Sequence, residues 1–125
     1  MIKLPCLALA TLCAASCATP APTLPTYRYA GIELSGAIEG TLLRTGNCIR
    51  VQSADETFVP VWPRGTIVSA SGMQLPAANG GALIPFGRHA AMRGGLNPGD
   101  GGIRNYDIIG RCGGRGFLVN SSRAL

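Results

Sequence analysis

The sequence predicts a small all-β domain that closes as a β-barrel and carries one disulfide bond. Eighteen glycines and nine prolines punctuate the 125 residues, and both residue types disfavour helices. The apolar stretches between these turns are short, and no long stretch repeats apolar residues at helical spacing. Two cysteines, Cys48 and Cys112, lie near opposite ends of the strand-rich region. A chain of this size removes its exposed strand edges best by closing the sheet on itself.

The N-terminal segment is typical of a secretory signal. Met1–Lys3 is a short cationic start, Leu4–Ala15 is a nearly continuous apolar run, and Ala14–Cys17 places small residues before a cysteine. The run is too short to cross a bilayer as a helix. The closing tetrapeptide resembles a bacterial lipobox, whose cysteine is acylated with chains such as palmitate and becomes the mature N-terminus. We therefore predict a signal peptide over residues 1–16 and lipidation at Cys17.

This prediction makes the protein an exported lipoprotein anchored to a bacterial membrane, in the simplest case on the periplasmic side of the outer membrane. Cleavage after Ala18 is the alternative, and it would give a free periplasmic or secreted protein. The TPAPTLPT segment, residues 19–26, has the closely spaced prolines of an extended linker. We predict the lipidated end and linker over residues 17–30 and a single β domain over residues 31–125.

The cysteine count agrees with export. Of the five cysteines, the two within the apolar run leave with the signal, and Cys17 is either lipidated or removed. Cys48 and Cys112 are then an even pair, which an oxidising compartment joins as a disulfide. Two buried free thiols are the alternative. A metal site that adds His89 to this pair would lack a fourth ligand and a recognisable ligand spacing.

The most specific local signal is a β-hairpin. Gly46-Asn47 joins strands at Ala37–Thr45 and Cys48–Gln52, and a two-residue loop pairs the ends of these strands directly. The side chains on the predicted core face are Ile38, Gly40, Leu42, Ile49 and Val51. Cys48 takes the opposite face, so Cys112 would pin the C-terminal segment over that face or across a barrel mouth.

Further short strands follow, separated by turn residues. In Thr57–Trp62, Pro60 cannot donate to a ladder, which predicts an edge strand or a bulge. Trp62–Gly65 matches a type I turn. The other predicted elements are strands at Thr66–Ala70, Met73–Leu75, Ala82–Ile84 and Gly116–Asn120, a strand or one helical turn at Arg88–Arg93, a loop at Gly94–Asn105, and an ambiguous segment at Tyr106–Ile109. Together they favour an OB-like or related barrel, with a β-sandwich as the alternative.

An ordered set of turn residues and cysteines runs through the domain. It consists of Gly40-x-Leu42, Gly46-Asn47-Cys48, Val61-Trp62-Pro63-Arg64-Gly65, a glycine-rich loop and Cys112-Gly113-Gly114. Over residues 36–119 this order resembles an uncharacterised family of small exported bacterial lipoproteins. The resemblance implies export and carries no known activity.

Residues that commonly carry catalysis are scarce. Lys3 is the only lysine, so the domain lacks Schiff-base chemistry and the lysine of a phosphate-binding loop. A triad of a serine, His89 and Asp107, or a carboxylate pair of Glu39 and Asp107, could be drawn, but no motif supports either. We predict no catalytic residue, no cofactor and no metal, and we interpret Gly99–Gly102 as a glycine turn rather than a calcium loop.

The best binding candidate in the sequence is Trp62 with Arg64, because exposed tryptophan and arginine are common interface anchors. Trp62 as a core residue is the alternative. The chain has a net charge of +5, and its scattered arginines permit contact with anionic lipids or acidic polymers. Export and the small number of aromatic residues argue against nucleic acid as a ligand.

These features predict an envelope-anchored bacterial lipoprotein that acts as a non-enzymatic binding or accessory module. Its expected partners are the membrane, through the N-terminal lipid, and an envelope protein or acidic polymer, but no nucleic acid. The alternative is a small periplasmic hydrolase or enzyme inhibitor that uses the region around His89.

The lipid prediction is tested by Cys17→Ser, which should abolish acyl labelling and release the protein from the membrane fraction, because no thiol is left to accept the lipid. Metabolic labelling with a palmitate analogue and membrane fractionation measure the two effects. Cys13→Ser is the matched control, since Cys13 leaves with the signal and its replacement should change neither result. An acyl label that survives Cys17→Ser would contradict the predicted attachment site.

Overall fold

The computed structural model describes residues 22–28, 35–96 and 102–125. The predicted signal peptide, the lipidation site at Cys17 and most of the predicted Gly99–Gly102 turn lie outside these residues. The strands are β1 Thr26–Tyr27, β2 Gly36–Thr45, β3 Cys48–Gln52, β4 Thr57–Pro63, β5 Ile67–Val68, β6 Gly72–Gln74, β7 Leu83–Pro85, β8 His89–Leu96, β9 Ile103–Arg104 and β10 Arg115–Ala124. The helices are a 3-10 helix, Ala77–Asn79, and one α-helix, α1, Asp107–Cys112.

Five of the strands form a closed ring in the order β2-β3-β4-β10-β8. The β2–β3, β3–β4, β8–β10 and β2–β8 pairs are antiparallel, and a parallel β4–β10 pair completes the circuit. The predicted all-β fold is confirmed. The ring agrees with the closed sheet expected for an OB-like barrel, whereas a sandwich would keep two sheets apart. Strands β1 and β9 extend the sheet beyond β4.

The hairpin of β2 and β3 has the predicted register. Thr45 pairs with Cys48, and the ladder continues to Thr41 opposite Gln52. Gly46, at the tip, has a φ of 61°, the left-handed conformation that a two-residue hairpin turn requires. The predicted core face is confirmed: Leu42, Ile49 and Val51 are buried in the ring, and Ile38 packs against them.

Strand β4 is buried on both faces and pairs on both sides, so the predicted edge strand is wrong. The predicted alternative, a bulge at Pro60, is also not seen, because the β4–β10 ladder runs through Pro60 without a register shift. Pro60 pairs with Phe117 of β10 on one side. On the other side, pairing with β3 ends at Phe58 and pairing with β1 begins at Trp62. The missing N–H of proline is tolerated because Pro60 falls in the gap between these two neighbours.

A second apolar cluster lies outside the ring, where α1 packs on β4. Ile108, Ile109 and Cys112 are buried there against Val59 and Val61. Sequence patterning did not predict this helix, because six residues are too few to show a helical period. Such a short helix depends on its tertiary contacts rather than on propensity.

Both ends of α1 have local causes. Asn105, which precedes it, has a φ of 60°, and its side-chain amide donates to the carbonyl oxygen of Leu24 at 3.0 Å. Gly113 ends the helix in the left-handed conformation, with its N–H donating to Gly110 and Ile109. The predicted loop at Gly94–Asn105 is also interrupted, since β8 runs on to Leu96 and β9 occupies residues 103–104.

Strands β5, β6 and β7 form a separate three-stranded sheet that extends the main core. Its inward side chains, Met73 and Ile84, are fully buried in the same cluster as Trp62. The turn before β5 is displaced by one residue from the prediction: the N–H of Thr66 donates to Pro63 at 3.1 Å. Gly65 is therefore the third residue of this turn, and its φ of 97° suits that position in a type II turn.

The described part of the predicted linker packs against the domain. The N–H of Trp62 donates to the carbonyl oxygen of Pro25 at 2.9 Å, and that of Arg64 donates to Tyr27 at 2.9 Å. The Tyr27 hydroxyl also donates to the carbonyl oxygen of Val119 at 2.7 Å, which ties β1 to β10. Residues 22–28 thus belong to the folded body, ahead of the boundary at residue 31 that the sequence suggests.

The predicted Cys48–Cys112 disulfide is present and joins residues 64 apart in sequence. As the hairpin register predicts, Cys48 lies on the outer face of β3, and the bond pins the end of α1 over that face. Arg50, two residues further along the same face, donates from Nε to the carbonyl oxygen of Cys112 at 2.6 Å. This cation at the helix C-terminus is favourable to the helix dipole.

No helix within residues 22–28, 35–96 and 102–125 is long and apolar enough to span a membrane.

Gly94 permits the close approach of β8 and β10. A Cβ atom built on Gly94 would overlap the carbonyl oxygen of Leu118 and crowd the backbone of Asn120. The register of these strands shifts between Val119 and Ser121, so Asn120 forms a bulge. The carbonyl oxygen of Asn120 accepts a hydrogen bond from the Asn79 side chain at 3.0 Å. The bulge at Asn120 is therefore contacted by the backbone of Gly94 on one side and by the Asn79 side chain on the other.

Gly94→Ala should destabilise the protein by roughly 1–3 kcal/mol, because the added methyl group must push β8 away from β10. The free energy of unfolding from urea titrations measures the effect. Gly110→Ala is the matched control: among the described residues, no atom outside the neighbouring residues and the backbone of its own helix lies within 4 Å of its Cβ position, and alanine is the better helix former. We expect Gly110→Ala to leave stability unchanged or raise it by up to about 1 kcal/mol. If both variants lose the same free energy of unfolding, the close approach of β8 and β10 at Gly94 is not the cause of the loss.

Candidate functional site

The predicted binding pair of Trp62 and Arg64 is not a surface site. Trp62 is fully buried in the main core, with 0% of its surface exposed, so the alternative of a core tryptophan is correct. Its Nε1 has no hydrogen-bond partner among the described residues. Arg64 is exposed in the turn that follows β4. Side chains alternate between the two faces of β4, and Trp62 lies on the same inward face as Phe58. Trp62 therefore cannot act as a surface anchor.

His89 is exposed on the outer face of β8. Its Nε2 is 3.7 Å from Oε1 of Glu39, and the two side chains are 53% and 65% exposed. Asp107 lies in α1, over β4, where it forms an ion pair with Arg111 at 2.8 Å. The structure therefore does not bring Glu39 and Asp107 together, nor Asp107 and His89. Among the described residues, no three His, Cys, Asp or Glu side chains are grouped to hold a metal ion.

A different site lies on the outer face of β2, β8 and β10. We define the arginine face by Ala37, Glu39, Ala91, Arg93, Ser121 and Arg123, which all line one open pocket of about 370 Å³. These side chains point outward because their neighbours Ala90 and Met92 are fully buried in the ring.

Cross-strand register fixes the layout of the arginine face. Ala91 of β8 pairs with Glu39 of β2 on one side and with Arg123 of β10 on the other. Arg93 lies two residues along β8 from Ala91, and it pairs with Ala37 and Ser121. Small side chains thus form the floor of the pocket, and the charged side chains stand around it. Arg93 and Arg123 are diagonal neighbours, a spacing within reach of long side chains.

The arginine face carries two guanidinium groups that have no partner among the described residues. Arg111 and Arg115 form ion pairs with Asp107 and Glu56, at 2.8 and 3.0 Å. Arg93 and Arg123 have neither an ion-pair partner nor a side-chain hydrogen bond within the described parts of the chain. A guanidinium group presents paired N–H donors that match carboxylate and phosphate oxygens. The arrangement can therefore accept an anionic group from outside the protein.

A second cavity, of about 240 Å³, adjoins the disulfide. It is lined by Pro22, Thr23, Asn47, Cys48, Ile108, Arg111 and Cys112. The one charged side chain of its lining, Arg111, already pairs with Asp107. In the ring order, β3 and β4 lie opposite β8, so this cavity and α1 occupy the side away from the arginine face.

Comparison with known proteins gives no match: no family model fits the sequence, and no curated protein or solved structure is significantly similar to the chain. The resemblance to small exported lipoproteins therefore stays a prediction.

Sequence patterning did not find the arginine face, although part of its signal was present. Arg88–Arg93 was predicted as a strand or a helical turn, and a strand there places Ala91 and Arg93 on one face. Arg123 lies in β10, and the bulge at Asn120 changes which side of that strand its residues occupy. Pairing between distant strands across a bulge leaves no local pattern in the sequence.

The disulfide should contribute about 4 kcal/mol to the free energy of unfolding, since it closes a loop between residues 64 apart. Dithiothreitol should therefore lower the urea midpoint of the unmodified protein. The double variant Cys48→Ala with Cys112→Ala is the control, because its midpoint should already be low and should not respond to the reductant. If complete reduction of the disulfide leaves the urea midpoint of the unmodified protein unchanged, this estimate is wrong.

Proposed function

We propose that this protein is an exported, lipid-anchored accessory module of the bacterial envelope, which binds an acidic partner through the arginine face. The observation that carries the binding proposal is the pair of unpartnered guanidinium groups, Arg93 and Arg123, around a floor of small side chains. The partner is an envelope polymer or protein that presents carboxylate or phosphate groups.

The chemistry of the face supports binding rather than catalysis. Its six defining residues include two groups that can act as nucleophiles, the Ser121 hydroxyl and the Glu39 carboxylate. Among the described residues, no base is hydrogen-bonded to the Ser121 hydroxyl, and the His89 ring approaches the exposed Glu39 carboxylate at 3.7 Å. A positively charged groove for single-stranded nucleic acid also needs aromatic side chains on which bases stack. The arginine face has none. This composition supports an acidic polymer or protein over a nucleic acid.

Support for export comes from the sequence and from the disulfide. The cationic start, apolar run and small residues before Cys17 are typical of a lipoprotein signal. The Cys48–Cys112 bond is compatible with an oxidising compartment. Several acyl chains on one cysteine would hold the domain stably at a membrane, which a single chain does not achieve.

The binding proposal is tested with poly-L-glutamate as the acidic probe. Arg93→Gln combined with Arg123→Gln should weaken binding at least tenfold, because each charge-assisted hydrogen bond lost contributes about 1.5–3 kcal/mol. Fluorescence anisotropy of a labelled probe measures the dissociation constant, at low salt and at about 0.15 M salt.

Arg64→Gln combined with Arg104→Gln is the matched control. Both residues are exposed and lie outside the arginine face, so the net charge falls by the same amount. We expect this control to lose less than threefold in affinity. If both double variants weaken binding equally, the attraction is one of overall charge, and the arginine face is not the site.

A further inference from the structure

The arginine face holds one acidic group that does not neutralise its arginines. Glu39 and Arg123 pair with the same residue, Ala91, from its two sides. Two strand spacings therefore separate their backbones, about 9.5 Å. No ion pair joins Glu39 to Arg93 or Arg123 among the described residues, and the Glu39 carboxylate lies instead 3.7 Å from Nε2 of the His89 ring.

Glu39 and Arg123 are thus held apart on opposite sides of Ala91. Arg93 is a diagonal neighbour of both, and it forms no ion pair with Glu39 among the described residues. The Glu39 carboxylate at the margin of the face repels an anionic group and so weakens, without abolishing, the binding of a ligand that carries only negative charges. A ligand with charges of both signs gains from both margins, since its ammonium group faces Glu39 and its carboxylate faces the guanidinium groups. The alanine side chain between them leaves room for the ligand to lie flat.

We propose that the arginine face binds a short peptide carrying a free ammonium group and a free carboxylate. Arg93 and Arg123 bind the carboxylate through paired N–H donors, and Glu39 accepts hydrogen bonds from the ammonium group. This inference rests on the proposed function and names the chemistry of its ligand. A zwitterionic lipid headgroup shares the two charges, but residues 22 and 23 lie on the opposite side of the ring. A domain anchored through Cys17 would approach the bilayer with that opposite side.

The position of Cys17 strengthens the choice of a peptide. Four residues lie between Cys17 and Pro22, and the five residue-to-residue steps span at most about 18 Å when the chain is fully extended. The lipid anchor would therefore lie within that distance of the disulfide cavity, which Pro22 lines together with Asn47 of the hairpin tip. The arginine face would be turned away from the bilayer, towards ligands in the surrounding compartment.

The test compares three dipeptides on the purified protein, as processed by its cells, by NMR chemical-shift titration. They are Ala-Ala with both charges, N-acetyl-Ala-Ala with only the carboxylate, and Ala-Ala-amide with only the ammonium group. We expect Ala-Ala to bind at least fivefold more tightly than either blocked form. O-phosphoethanolamine is titrated in parallel as the headgroup probe, and it should bind more weakly than Ala-Ala.

Substitutions assign the two ends of the ligand. Glu39→Gln should weaken Ala-Ala binding at least fivefold and leave N-acetyl-Ala-Ala unchanged or tighter. Arg123→Gln should weaken both. Asp55→Asn removes an exposed acid in the turn before β4 and should change none of the affinities. Circular dichroism checks that each variant retains the unmodified fold.

Equal affinities for Ala-Ala and N-acetyl-Ala-Ala would overturn the inference, as would tighter binding of O-phosphoethanolamine or no dipeptide binding at all. Each of these results leaves the proposed function standing if poly-L-glutamate still depends on Arg93 and Arg123. Loss of that dependence instead overturns the proposed function itself.

Discussion

The rest of the structure depends on the way β10 pairs with two different strands. Its first half runs parallel to β4, from Arg115 to Leu118, and closes the ring. From Phe117 to Ala124 it also pairs antiparallel with β8, and this ladder changes register at Asn120. Gly94 allows the close approach at this point because it has no side chain. One strand therefore closes the core and also places Arg123 beside Ala91.

The sequence predicts those features that depend on neighbouring residues. A two-residue loop sets the β2–β3 register, and alternation from that register correctly places Cys48 outside the ring. The disulfide follows from counting cysteines. Features that depend on distant contacts were missed: Pro60 suggested an edge because nothing local shows that β3 leaves β4 before β1 joins it. The arginine face was missed for the same reason, since it combines three strands that are distant in the chain.

The two sides of the ring are used in different ways. On the β3–β4 side, the chain covers its own sheet with α1, β1 and the disulfide, and Arg50 and Arg111 are engaged with Cys112 and Asp107. On the β8 side, Ala91 lines an open pocket, and Arg93 and Arg123 have no partner among the described residues. Under the proposed function, the covered side stabilises the domain and the open side binds the partner.

The parallel pairing of β1 with β4 also has a mechanical consequence. Thr26 and Tyr27 pair with Trp62 and Pro63, and the segment before them enters beside the hairpin tip. Tension applied upstream of residue 22 would act along β1 and load its hydrogen bonds to β4 in shear. That stress would be borne by the buried Trp62 strand, while β2 and β8, on the far side, would keep the geometry of their outward side chains.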